Sequence, residues 1–254
     1  MPKPTKFLAT ALAVAALIAP VQPAASYDLK PIVVQLSPSG AGSSQTMVIT
    51  NTHEVPIAIE VHAFVRHQLP TGEDELTPED KDLIVYPPQM VIPPQASQSF
   101  KVQWVGDQVI DRERAYRIVT EQLPIKFEEQ IGGNSTADLT VRYRYEAALY
   151  IVPKGAKPSA RLVSIEPVTA EDGSAMLEVT IASEGTLRAI LDTPTLDLTT
   201  ASGEKLTLAG EDMKPLDGLN ILPGGQRTVR IPAPAGLASG PLSGTLQTQY
   251  VVLQ

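Results

Sequence analysis

The chain has 254 residues, a formal net charge of −8, 23 prolines, 17 glycines and no cysteine. That length accommodates two domains of ordinary size, the missing cysteine excludes disulfides and thiolate metal sites, and the acidic balance argues against a nucleic-acid partner. Helix-forming runs are almost absent beyond the N-terminus, while Thr, Val and Ile recur between prolines and glycines, so the composition predicts short strands separated by turns.

Residues 1–26 differ from everything that follows. Lys3 and Lys6 precede an apolar run from Phe7 to Ala19, and the small residues Ala24, Ala25 and Ser26 come after it. This is the pattern of a secretory signal peptide, with an apolar core too short to span a bilayer. No later segment is long enough either, so the sequence predicts an exported protein with no membrane insertion, and a periplasmic location fits. Removing the leader takes away two bases and moves the net charge from −8 to −10.

From Asp28 onward the first half breaks into strand-like runs: Leu29–Leu36, Gln45–Asn51, Pro56–Arg66, Leu83–Tyr86, Ser99–Val105, Ala115–Leu123 and Leu139–Val152. Such runs with turn chemistry between them predict an immunoglobulin-like sandwich of antiparallel sheets. In the third run Ile57, Ile59, Val61, Ala63 and Val65 share one face, and Glu60, His62 and Arg66 share the other. The acidic segment Thr71–Asp82 lacks the spacing and the turn glycine of an EF-hand, and is expected to be a solvated loop. Prolines at 87, 88, 93 and 94 cannot donate to a ladder, which confines Pro87–Pro94 to an edge or a crossover. Glu128–Asp138 is expected to be the loop into the last run.

That last run, Leu139–Pro153, is the most informative stretch. Leu139, Val141, Tyr143, Tyr145, Ala147, Leu149 and Ile151 are apolar or aromatic at every second position, which on a strand makes one continuous stripe. At roughly 3.3 Å per residue the run reaches about 50 Å, whereas ordinary strands run to about 5 or 6 residues. A stripe longer than its own domain requires is suited to pairing with a partner's sheet while its side chains fill that partner's core. The alternative is that the whole stripe is internal core.

After Pro153, KGAKPS is expected to be a hinge, giving domains at 27–153 and 154–254. The second half repeats the pattern in Ala160–Glu166, Ala175–Ala182, Ala189–Leu198, Lys205–Leu208, Arg227–Ile231 and Thr245–Leu253, a smaller sandwich. No helix longer than a turn is expected.

Motifs for chemistry are missing. His62 and His67 are five residues apart and fall on opposite faces of a strand, so they do not chelate together, and all three histidines, with His53, are expected at the surface. There is no G-x-S-x-G, no glycine-rich phosphate loop and no H-E-x-x-H, so neither an enzyme nor a cofactor is expected. Arg117, Arg142 and Arg144 lie on or near the long strand. An arginine at the end of such a surface is able to hold a terminal carboxylate through two parallel charge-assisted bonds.

Several segments resemble a periplasmic pilus-assembly chaperone of the chaperone/usher pathway. Asp111-Arg112-Glu113, then Tyr116 and Pro124, is similar to the family's D-R-E-S-x-F-x-x-N-x-x-x-x-P signature, with Arg114 in place of Ser and Val119 in place of Asn. Thr46–Asn51, Ile92–Phe100, Arg144–Val152 and Ile221–Gly225 resemble other family segments in the same order. The resemblance implies an all-β fold of two immunoglobulin-like β-sandwich domains joined at an angle, with no bond chemistry. It implies that Leu139, Val141, Tyr143 and Tyr145 enter the groove of a pilin that lacks one strand, with Ala147 near the cleft. The implied partners are pilin subunits and an outer-membrane usher, and the exposed strand also offers a surface for self-association. The two bases that usually hold the pilin's C-terminal carboxylate align with Gln35 and Ala148, which carry no charge. The pattern is closer to the divergent branch called archaic or alternative, which points to Arg117 as the replacement anchor, with Arg144 as the second candidate. A secreted adhesive or ligand-binding sandwich is the alternative function.

Overall fold

The computed structural model describes residues 27–124, 142–237 and 240–253. The expected leader, Leu139 and Val141 lie outside these residues. The chain is all-β, in two immunoglobulin-like sandwiches. The first comprises β1 (Tyr27–Lys30), β2 (Val33–Leu36), β3 (Ser44–Asn51), β4 (Ile57–Gln68), β5 (Asp74–Pro78), β6 (Leu83–Tyr86), β7 (Gln89–Ile92), β8 (Ser97–Trp104), β9 (Arg114–Gln122) and β10 (Arg144–Ile151).

One sheet runs β1-β3-β8-β6, and the other runs β2-β10-β9-β4, with β5 and β7 both paired to β4. Alternation explains the packing. Ile57, Ile59, Val61 and Ala63 are buried on the inner face of β4, His62 is exposed on the outer face, and Met47, Ile49, Phe100 and Val102 meet them from the opposing sheet.

Three local expectations need correction. The run Leu29–Leu36 is two strands, because Pro31 has no N–H to continue a ladder; β1 pairs with β3 in one sheet, and β2 with β10 in the other. The expected loop Thr71–Asp82 contains β5, which pairs with β4 from Phe64↔Pro78 to Gln68↔Asp74. Its turn depends on Gly72, whose φ is 100° and where a Cβ would collide with the Arg227 guanidinium. His53 is half-buried and not fully at the surface: its Nε2 is enclosed without a partner and burial lowers its pKa. Within Pro87–Pro94, Pro87 and Pro88 cross from β6 to β7, which pairs with β4, and the Pro88 carbonyl accepts from Val61 N–H.

The second sandwich comprises β11 (Ala160–Thr169), β12 (Ala175–Ser183), β13 (Ala189–Thr200), β14 (Lys205–Leu208), β15 (Asn220–Ile221), β16 (Gln226–Pro232) and β17 (Leu242–Tyr250). Its sheets are β11-β12-β16 and a second built around β13, which pairs with β14, β15 and β17. Leu177, Val179 and Ile181 on β12 face Leu191, Leu196 and Leu198 on β13 to form a separate core. The segment expected to be a hinge is bonded to this sandwich: Lys157 O accepts from Thr186 and Leu187 N–H, and Ser159 O from Glu184 and Gly185 N–H. Among the described residues, no helix is long and apolar enough to cross a membrane.

Candidate functional site

The site is built on β10, whose two ends have different neighbours. Antiparallel pairing with β9 runs along the whole strand, from Arg144↔Glu121 to Ile151↔Arg114. Parallel pairing with β2 covers only Ala148–Ile151. Ala148 N–H reaches Ile32 O at 2.9 Å and Val152 N–H reaches Leu36 O at 2.8 Å, so even-numbered residues turn their main-chain groups toward β2. Odd-numbered residues turn theirs toward β9, as Tyr143 O does in accepting from Gln122 N–H. The main-chain groups of Arg144 and Glu146 therefore point away from β9, past the end of β2, where no described strand pairs with them.

The apolar stripe continues toward that open end. Ala147, Leu149 and Ile151 are fully buried in the first core, and Tyr143 and Tyr145 pack at its margin. Tyr145 meets the Tyr27 ring edge-on at 4.6 Å, and Tyr143 meets His53 at 5.8 Å. Tyr27 is itself buried with its hydroxyl on Thr120, and burial raises its pKa to about 12. Arg144 is half-exposed at the open end, where it pairs with Glu121 at 2.8 Å and with Glu146.

The opposite face of β10 enters a cleft between the sandwiches. Ala148 and Tyr150 are buried there against Leu222 of the second sandwich. The Arg188 guanidinium stacks on the Tyr150 ring at 3.8 Å and forms a buried ion pair with Glu113. Burial is the largest influence on Glu113 and pushes its carboxyl up to about 7, although Arg188 draws it down; its Oε1 has no partner. Further bonds across the cleft join Glu113 N–H to Thr186 O, Thr228 N–H to Pro70 O, and both ends of the Gln68 amide to Asn220 O and Leu222 N–H.

Next to this contact lies a cluster of arginines. Arg117 stands across from Ala148 on one side and Phe64 on the other, which puts its side chain on the cleft face of the sheet. Its Nε and Nη2 donate to Asp74 Oδ2 at 3.0 and 2.6 Å. Arg66 Nε donates to Asp74 Oδ1 at 2.8 Å, and its Nη1 donates to the Tyr150 hydroxyl at 3.1 Å. Burial is the largest single influence on Asp74 and raises its pKa, but bonds and charge from Arg66 and Arg117 together outweigh it and hold the carboxyl below its ordinary range. Arg227 approaches from the second sandwich, with its pKa lowered by burial and by the charge of Arg66. A cleft of about 300 Å³ opens beside Arg66, between His67, Glu113 and the loop Leu222–Gly225.

Of the residues singled out from the sequence, Tyr143, Tyr145 and Ala147 lie along the strand with the open edge, and Arg117 lies in the cleft. Arg144 is on the same strand but outside the cleft cluster, and Gln35 binds Leu253 O at 3.1 Å. Sequence reasoning missed Arg66, Asp74 and Arg227. The one available signal was Arg66 on the polar face of an otherwise alternating strand. Among the described residues, no cluster of His, Asp or Glu is arranged to hold a metal.

No curated protein sequence matches the chain. Among solved structures, that of the class 5 fimbriae chaperone CfaA is similar at 16% identity and a TM-score of 0.53, over 89% of this chain and 100% of that one. A structure titled as a chaperone–tip adhesin complex in CFA/I fimbriae biogenesis matches at the same identity and TM-score, over 89% of this chain and 99% of the other. These likenesses show the two-sandwich fold. Residues 31–157, half of the chain, match the family of pili and flagellar-assembly chaperones through the PapD N-terminal domain. That span carries the open-edged strand β10, the Glu113 contact and the Arg66–Asp74–Arg117 cluster, and the chain belongs to this pilus-assembly chaperone family.

Proposed function

We propose that this protein is a periplasmic chaperone that captures a pilin subunit by donor-strand complementation and delivers it to an outer-membrane usher. The observation that carries the reading is the open main-chain edge at Arg144–Ala147, on a strand whose other half is locked into its own sheet. An unpaired edge of this kind is ordinarily a liability, and it has a use when a partner lacks a strand. In this reading Leu139, Val141, Tyr143 and Tyr145 fill the pilin's groove and Ala147 marks the seam with the chaperone's own core. Arg117 holds the pilin's terminal carboxylate from the cleft face, across the β9–β10 pairing from Ala148, and Arg144 is the second candidate, at the open end of the strand. The periplasmic location rests on the leader-like residues 1–26 and on the family, and no bond-making step is required.

The test is co-expression with a pilin subunit and affinity recovery of the pair. Substituting Val141 and Tyr143 together by Asp is expected to abolish recovery while the chaperone remains folded. Unchanged recovery with that double variant would show that the strand is not what the partner binds.

A further inference from the structure

The chaperone reading leaves Asp74 unexplained, and its surroundings are unlike those of a simple buried ion pair. Within one cluster, the guanidiniums of Arg66 and Arg117 are both bonded to the Asp74 carboxylate, and that of Arg227 lies close enough to feel its charge without a bond to it. Arg227 Nε is buried without a partner. Arg66 Nη2 and Arg117 Nη1 have no partner among the described residues and are not enclosed. The cluster is thus short of negative charge in a chain whose net charge is −8.

Asp74 is also placed where it is easily withdrawn. It begins β5, a five-residue strand that contributes no residue to the buried core. The turn before it is held independently, by Thr228 N–H on Pro70 O and by Leu69 N–H on Glu73 O. Rotation of one side chain therefore vacates the arginine pair without unpairing a sheet. Across the pairing from Arg117 stands Ala148, a small side chain on the same cleft face, and beside Arg66 the cleft of about 300 Å³ is open.

We infer that Arg66 and Arg117 form one forked carboxylate site on the cleft face, and that Asp74 is its resident occupant, a side-chain stand-in for the carboxylate of a bound partner. Capture is then an exchange of one carboxylate for another. The stand-in keeps two largely buried guanidiniums paired when the chaperone is empty, and its return assists release, which a protein without a nucleotide cycle has to achieve by competition between contacts. Arg227, supplied by the second sandwich, adds a positive charge that strengthens the hold on any incoming anion and makes the site depend on both sandwiches, while the planar forks of Arg66 and Arg117 favour a carboxylate over chloride. Asp74 remains ionised down to acidic pH, because Arg66 and Arg117 hold its carboxyl low, so the stand-in is present under all ordinary conditions. The inference rests on the chaperone reading for the identity of the partner, but the exchange is testable without one.

The probe is sodium acetate, with sodium chloride as the control, followed through the Nε–H resonances of Arg66 and Arg117 in the isolated full-length protein. Asp74→Asn is expected to bind acetate at least tenfold more tightly than the parent, with both resonances moving, and adding Arg117→Ala is expected to abolish the response. Equal or weaker acetate binding by folded Asp74→Asn overturns the inference. In the parent, whose fold is not in question, concentrated acetate is expected to move the Asp74 carboxyl carbon resonance together with both Nε–H signals; movement of none of them also overturns it. Failure of the parent to recover any pilin on co-expression counts against the chaperone reading and leaves the carboxylate exchange to stand on the acetate titration.

Discussion

The two halves of β10 are consecutive in one strand and pair with the same neighbour, yet they have opposite fates. Ala148–Ile151 is bonded on both edges, by β9 and β2, and buried on both faces, by its own core and by the second sandwich. Among the described residues Arg144–Ala147 is bonded on one edge only, and its polar residues carry a small network of charge, Arg144 between Glu121 and Glu146. The difference teaches that an exposed edge is tolerable when its neighbour in sequence is over-determined. The locked half fixes register for the open half, and alternating charges discourage indiscriminate pairing.

The sharpest way to break this comparison is to damage the locked half. Leu149→Asp places a carboxylate in a fully enclosed apolar site and is expected to cost about 5 kcal/mol or more, unfolding the first sandwich in a urea titration. Next in size is the contact behind the strand. Arg188→Ala leaves Glu113 buried and unpaired and removes the stacking on Tyr150, with an expected loss of about 3–5 kcal/mol.

The same pair predicts a pH dependence. Glu113 has a folded-state pKa of about 7 against an ordinary 4.5, so between these values the folded form holds a proton that the unfolded form has released. Its contribution to stability is complete below about 4.5 and is lost as pH rises through about 7. Glu113→Gln is expected to remove that slope when urea midpoints are compared with those of the parent. Asp74 has the opposite sign: held below its ordinary 3.8, its contribution is present above that value and is lost on acidification.

Changes to the open half are expected to act on a partner rather than on the fold. Val141→Asp with Tyr143→Asp is expected to weaken pilin binding by at least about 100-fold, equivalent to about 2.7 kcal/mol, while unfolding stability shifts by about 1 kcal/mol. The smallest effect belongs to Arg144→Ala, which is expected to change stability by less than about 1 kcal/mol because its ion pairs are half-exposed. A large loss of stability from Arg144→Ala would erase the distinction between the two halves.

Much of the fold was legible wherever alternation was strong. Leu83–Tyr86 and Lys205–Leu208 were bounded correctly, and the buried and exposed sides of β4 followed from its sequence. Strands with few apolar residues were not legible: DELTP in β5 reads as loop because the strand is an edge whose side chains are mostly exposed. The two-sided burial of Ala148 and Tyr150 was also hidden, since periodicity reports one core and says nothing of a second domain packing on the other face. For the site, Arg144–Ile151 was legible as the described part of an alternating stripe, whose Leu139 and Val141 lie outside the described residues. The Arg66–Asp74–Arg117 cluster was not, because three residues on three strands meet only through register, which is set by turns and long-range pairing.

The half-paired edge of β10 has a mechanical consequence. A strand laid along Arg144–Ala147 is attached to the chaperone along one margin, so a competitor is able to peel it away from the open end one main-chain bond after another, each step meeting only a small resistance. Force applied to β10 itself meets β9 on one side and β2 on the other, loaded in shear along several bonds at once. Under the proposed capture of a pilin, detachment of the guest is a zipper and detachment of the host strand is not, so the guest is expected to leave without its carrier coming apart.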